Sequence, residues 1–138
     1  KDDELNKLIN EVSLLSKGML VKINDVPDTD LIKFYNAATL AIFPSLCEGF
    51  GIPPIESGVL ETSTICSNST AMKDFTFFKD RFFDAESKES IKRTITKFLN
   101  TKDDSHQKNE LFNIAKSIEE TYNWCKTAQK LKYLILND

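Results

Sequence analysis

One stretch constrains the fold of this chain more than any other: Phe43-Pro44-Ser45-Leu46-Cys47-Glu48-Gly49-Phe50-Gly51-Ile52-Pro53-Pro54-Ile55-Glu56. The apolar run Leu40-Ala41-Ile42-Phe43 just before it reads as a buried strand. Pro44 ends that strand, since proline cannot donate to a sheet ladder. A loop containing Gly49 and Gly51 follows, and Pro53-Pro54 then opens a helix, because the first helical turn needs no N–H partner. The segment is therefore strand, glycine-containing loop and helix. Glu48 falls in the loop, and Glu56 in the helix's first turn or just past it.

That order carries a chemical implication. In an open parallel sheet, ligands sit beyond the carboxyl ends of the strands. A helix N-terminus placed there offers free backbone N–H groups and positive potential, which suit phosphate. Gly49 and Gly51 let the backbone approach a ligand, and Glu48 and Glu56 accept hydrogen bonds from hydroxyls. Phosphate and hydroxyls together describe a nucleotide sugar. A proline-started helix with a glutamate that favours the helix dipole is the plainer reading. It leaves the loop glutamate and both glycines unexplained.

The pattern Pro-Ser-x-x-Glu-Gly-Phe-Gly-Ile-Pro-Pro-x-Glu, residues 44–56, resembles the two-glutamate motif of retaining glycosyltransferases of family 4, which have the GT-B fold. The resemblance extends from about residue 19 to residue 136 and implies the C-terminal, donor-binding domain of such an enzyme. By that resemblance Glu56 binds the ribose hydroxyls and Glu48 lies beside the donor sugar as the catalytic candidate. The backbone at Gly49, Phe50, Gly51 and Ile52 binds the donor, its N–H groups holding the sugar or diphosphate as charge develops on the leaving group. No metal is expected. The loop 23–26 would lie near the nucleobase, with Asn24 standing where the family carries glycine.

After Glu56 the chain departs from the family. Glu61 stands where a glycine C-cap is expected and Ser63 where proline is expected, while Gly58 inside the helix costs on the order of 1 kcal/mol against alanine.

The remaining pattern alternates helix and strand. Residues 3–17 read as an amphipathic helix with Leu5, Leu8, Ile9, Val12 and Leu15 on one face, Gly18 as its C-terminal stop, and 19–23 as a short strand. Asp28 caps a helix whose apolar face is Leu31, Phe34, Tyr35 and Ala38. Asp28-Thr29-Asp30 also spells a metal-binding pattern of GT-A glycosyltransferases, but capping and dipole effects explain both carboxylates. A strand at 63–66 leads into a polar loop, 67–70, and the resemblance implies a short helix after it, with Asp74 in place of the family's closing glutamate. The phenylalanine-rich stretch 75–83 reads as core with an edge strand near 81–84, or else as a docking surface.

A helix over 87–100 starts at a partial capping box, Ser87 with Ser90, and turns Ile91, Ile95, Phe98 and Leu99 inward. A polar linker at 101–107 leads to C-terminal helices within 108–136, interrupted at Tyr122-Asn123-Trp124, where Trp124 is expected to act as a structural anchor. The alternation argues for a doubly wound parallel α/β sheet, Rossmann-like. The resemblance implies that it is the C-terminal half of a GT-B fold, with 1–138 as a single nucleotide-sugar-binding domain.

Composition excludes several classes. At 138 residues the chain suits one domain, and a net charge of −3 argues against broad nucleic-acid binding. No apolar run approaches the roughly 20 residues that span a bilayer. Cys47, Cys66 and Cys125 are odd in number and widely spaced, which favours reduced thiols in the cytosol over a disulfide framework. With His106 the only histidine, a Cys47-centred nucleophile has no partner in the pattern. Lys1 in first place, inside a helical pattern, predicts a piece of a longer protein. By the resemblance half the cleft lies outside that piece, so alone it is expected not to transfer sugar.

The expectation for the parent is transfer from a UDP- or GDP-linked sugar to a saccharide or lipid-linked acceptor held by an N-terminal domain. It would work in the cytoplasm, with peripheral association at the inner face of a membrane allowed. The alternative is a sugar-nucleotide-binding module that has lost turnover.

Overall fold

A computed structural model describes residues 2–15, 20–100 and 105–137. The chain divides into two compact units, Lys1–Leu31 and Ile32–Asp138.

In the first unit, α1 spans Asp2–Leu15. Leu8 and Val12 of its predicted apolar face are exposed, whereas the side chains of Leu5, Ile9 and Leu15, and Gly18 as a helix stop, lie outside the described residues. The described part of the predicted strand, 20–23, is irregular: Leu20, Val21 and Ile23 are exposed. Among the described residues no ladder pairs with them, and a strand exists only through its pairing. α2 spans Asp28–Ala37. The Pro27 carbonyl accepts the Asp30 and Leu31 N–H groups at 2.9 Å, so the capping position is Pro27 and Asp28 is the first helical residue rather than the cap.

The second unit is a parallel α/β sheet of Rossmann type. Strands β1 (Ala41–Phe43), β2 (Thr64–Ser67) and β3 (Phe82–Phe83) are all parallel, in the order β1-β2-β3. The register pairs Phe43 with Cys66 and Cys66 with Phe82, and Ser67 with Phe83. Alternation along the strands sends these rows to opposite faces. Phe43, Cys66 and Phe82 join Met72, Phe75, Phe78, Ile114 and Ile118 on one face. Ile65 and Phe83 join Phe98, Ile91 and Ile95 on the other. Fully burying a side chain such as Ile65, Met72, Phe75, Phe78 or Ile118 contributes roughly 1.5–3 kcal/mol.

The first face is covered by α3 (Ile52–Val59) and α5 (Ser105–Thr121), the second by α4 (Lys88–Leu99). Gly58 lets α3 and α5 approach: a Cβ there would lie 2.6 Å from Ile118 Cδ1, and that contact explains a residue which lowers helix propensity. Ser57 and Thr64 share a buried hydrogen bond of 2.7 Å that ties α3 to β2.

Two 3₁₀ turns, Thr70–Asp74 and Thr76–Phe78, connect β2 to β3. Phe75, Phe78 and Phe83 are buried, so the phenylalanine-rich stretch is core. Ser87 caps α4 by accepting the Ser90 N–H at 3.2 Å. The Ser90 hydroxyl accepts the Asp84 N–H at 3.0 Å instead of completing a capping box. Leu99, predicted to face inward, is exposed; Phe98 beside it takes the buried place on the helix. The described part of the predicted linker is helical from Ser105 onward, and residues 101–104 lie outside the described residues.

α3 ends in a Schellman motif. The Thr62 N–H bonds the Ser57 carbonyl at 3.0 Å and the Glu61 N–H bonds the Gly58 carbonyl at 3.1 Å. Glu61 itself takes φ +56°, the left-handed position where the family pattern has glycine. The departure from the family therefore keeps the helix end and adds backbone strain.

Arg81 is the buried cation of this unit, 1% exposed. It donates through Nε to Glu110 Oε1 at 3.2 Å and through Nη1 to Ser63 at 3.2 Å, and its guanidinium stacks 4.5 Å over the Phe98 ring. Two hydrogen-bonded partners and a cation–π contact offset the desolvation of the charge.

Candidate functional site

Because all three strands run parallel, their carboxyl ends share one edge. The loop after β1 and the loop after β2 meet there. The Ser67 hydroxyl donates to the Ser45 carbonyl at 2.6 Å. The Glu48 N–H donates to Thr70 Oγ1 at 2.9 Å, and the Thr70 hydroxyl donates to the Glu48 carbonyl at 3.0 Å. Glu48 is half-buried, and its backbone is fixed by a residue that the motif does not contain.

Gly51 caps α3 with φ +90° and ψ 53°, a left-handed conformation that suits glycine. A Cβ at this position would lie 2.8 Å from Met72 Cγ and 3.1 Å from Phe75 Cε2. The packing of the loop against the 3₁₀ turn behind it thus requires glycine here, a reason independent of the expected approach of a ligand. Gly49 does face open space: a Cβ added there would meet nothing within 4 Å.

Phe50 is pinned edge-on against Tyr122, with ring centroids 5.3 Å apart, and against Phe75 at 6.1 Å. Burial pushes the Tyr122 phenol up, and the Asp74 carboxylate adds to it.

Among the described residues, the backbone N–H groups of Phe50, Gly51 and Ile52 have no protein acceptor. Pro53 and Pro54 carry none, so this run of donors stops at Ile52. A left-handed residue within such a run is the geometry of an anion-binding nest at a helix N-terminus.

Glu56 is the fifth residue of α3, just past its first turn, and is exposed. Burial raises the Tyr35 phenol above its ordinary range, and the negative Glu56 carboxylate raises it further. The sequence marks Tyr35 only as part of an apolar face; nothing in the pattern signals its place beside Glu56.

An apolar groove of about 520 Å³ runs beside the loop, lined by Phe50, Ile52, Ile55, Tyr122, Trp124 and Thr127. Trp124 opens α6 (Trp124–Asn137) and is 86% exposed, so it forms a groove wall rather than the anchor expected of it. Asn123 caps this helix by accepting the Lys126 N–H at 3.0 Å. A more polar cavity of about 280 Å³, lined by Tyr35, Asn36, Thr39, Glu61 and Ser63 among others, lies toward the opposite, amino-terminal edge of the strands. Among the described residues no three His, Cys, Asp or Glu side chains converge as a metal site, and no helix is long and apolar enough to cross a membrane.

A parallel α/β unit with this loop and helix at its carboxyl edge defines a class, and comparison with known proteins identifies it. Residues 2–116 match the family described as "Glycosyl transferases group 1", and the chain belongs to that family. It is 32% identical over 114 residues to "Serotype-specific mannosyltransferase WbdA" of Escherichia coli, covering 83% of this chain and 14% of that protein. It is 34% identical over 74 residues to "O-antigen chain mannosyltransferase B" of Escherichia coli, covering 54% of this chain and 19% of that protein. The chain thus spans a small part of the length of these relatives. No solved structure matches it.

Proposed function

We propose that this chain is the donor-binding part of a retaining family-4 glycosyltransferase with GT-B architecture, and that the sugar it handles is mannose. The observation that carries the reading is the run of free N–H groups at Phe50, Gly51 and Ile52, flanked by Glu48 and Glu56 at the carboxyl edge of a parallel sheet. Mannose enters because the similar proteins are named mannosyltransferases.

In this account the donor is a UDP- or GDP-linked sugar. Its diphosphate rests on the nest, where fixed N–H dipoles stabilise charge as it develops on the leaving group. Glu56 accepts hydrogen bonds from the ribose hydroxyls. Glu48 accepts one from the sugar and stabilises the reacting centre. The departing phosphate serves as the base toward the incoming hydroxyl, so neither a histidine nor a metal is required. The saccharide or lipid-linked acceptor is held by a further domain, in the cytoplasm or at the membrane face that presents it. The altered segment after Glu56, which favours a non-catalytic module, is absorbed by the Schellman end of α3, away from the donor loop.

The test is transfer by the full-length protein from GDP-mannose and from UDP-sugars, with the product's anomeric configuration read by NMR. Retention is expected, and Glu48→Gln should lower turnover by about 10²-fold or more. Inversion at the anomeric carbon, or unchanged turnover in Glu48→Gln, would contradict the reading.

A further inference from the structure

The residue that fixes Glu48 lies 22 positions further along the chain, outside the motif. Thr70 opens the 3₁₀ turn after β2, and its φ is +47°. A β-branched residue in the left-handed region is a genuine outlier, and such strain persists only where the surroundings over-determine it. If the position served only to turn the chain, glycine or asparagine would serve it with less strain.

Thr70 contributes its hydroxyl. Oγ1 accepts the Glu48 N–H at 2.9 Å and donates to the Glu48 carbonyl at 3.0 Å, so a single side-chain atom engages both backbone groups of that residue. Valine has the shape of threonine and glycine tolerates the same backbone conformation, yet neither can make these two bonds. The neighbouring contacts act in the same direction: Ser67 holds the Ser45 carbonyl, and Met72 sits against Gly51. The β2 loop therefore grips the donor loop before, at and after Glu48.

We propose that Thr70 is a positioning residue for donor binding, whose hydroxyl orients the Glu48 backbone and hence its carboxylate. The functional half of this inference rests on the donor-site reading given above. The geometric half does not.

The test uses Thr70→Ser, Thr70→Val and Thr70→Gly. Hydrogen exchange at the Glu48 amide and urea unfolding are measured on the 138-residue chain. Affinities for GDP-mannose and UDP-sugars, with GDP and UDP as sugar-free controls, are measured on the full-length protein. Thr70→Val and Thr70→Gly should each speed Glu48 exchange about tenfold, the factor carried by one net hydrogen bond, and weaken the bound nucleotide sugar by a similar factor. Thr70→Ser should rescue both. Thr70→Gly relieves the strained backbone while Thr70→Val keeps it. The glycine variant should therefore unfold at a higher urea concentration than the valine variant although both lose affinity alike, so binding and stability move apart.

Unchanged Glu48 exchange in Thr70→Val would overturn the proposal. So would affinities that simply follow unfolding stability across the three variants, or a loosened Glu48 with undiminished affinity. If the wild-type protein bound none of these nucleotide sugars, the donor reading would fall and take the donor role of Thr70 with it. The exchange result would still decide whether the hydroxyl holds Glu48.

Discussion

Replacing Gly51 with alanine should destabilise the fold by about 3 kcal/mol, and the structure supplies each contribution. With φ at +90°, a Cβ collides with its own backbone, costing roughly 1–2 kcal/mol. The same Cβ would stand 2.8 Å from Met72 Cγ and 3.1 Å from Phe75 Cε2. Both neighbours are buried, so neither has solvent to move into, and overpacking of this kind costs about 1–3 kcal/mol. Stiffening of the unfolded chain by alanine returns roughly 0.4–1 kcal/mol. Gly49→Ala is the control two residues away: with open space around it, it should stay within about 0.5 kcal/mol of wild type. Urea unfolding of the chain followed by far-ultraviolet circular dichroism gives both values. A Gly51→Ala variant within about 1 kcal/mol of wild type would refute the packing argument.

Two further outcomes follow from the geometry. Glu61→Gly should raise stability by about 1 kcal/mol, because glycine takes the left-handed C′ position of α3 without strain; a lower unfolding midpoint would contradict the Schellman assignment. Cys47 and Cys125 are exposed and should react with a thiol reagent in the native chain, whereas Cys66, buried and with its thiol pushed up to about 12, should react only on unfolding. The folded thiol is raised from 9.0, so the stability linked to the neutral Cys66 is complete below about pH 9 and is lost as pH rises toward 12. Cys66→Ala should flatten that alkaline loss.

The features legible in the sequence are those whose determinants lie within a few residues. Pro44 and Pro53-Pro54 punctuate β1 and α3, Ser87 announces α4, and the position of Glu61 marks the end of α3. The parallel α/β architecture follows from such local signals, and the glycosyltransferase group 1 family from the pattern at 44–56.

The features that escaped depend on contacts between distant residues. Whether 20–23 forms a strand depends on a pairing partner, which hydropathy does not reveal. Gly51 carries no local mark of its packing against Met72, 21 positions away. Thr70 has no local mark, because the groups its hydroxyl bonds belong to Glu48, 22 positions away. Leu99 and Trp124 show the reverse case: apolar side chains whose periodicity and size predict burial, but which no neighbour in the described residues covers.

The central claim is that the loop at the carboxyl edge of the sheet receives a nucleotide sugar. Its most direct test is NMR titration of the chain with GDP and UDP, with Glu56→Ala as the control. The account predicts selective shifts at the amides of Glu48, Phe50, Gly51 and Ile52, weakened when Glu56 is removed. Shifts that gather instead around Asn36, Thr39 and Ser63 at the opposite edge, or that persist undiminished in Glu56→Ala, would contradict it.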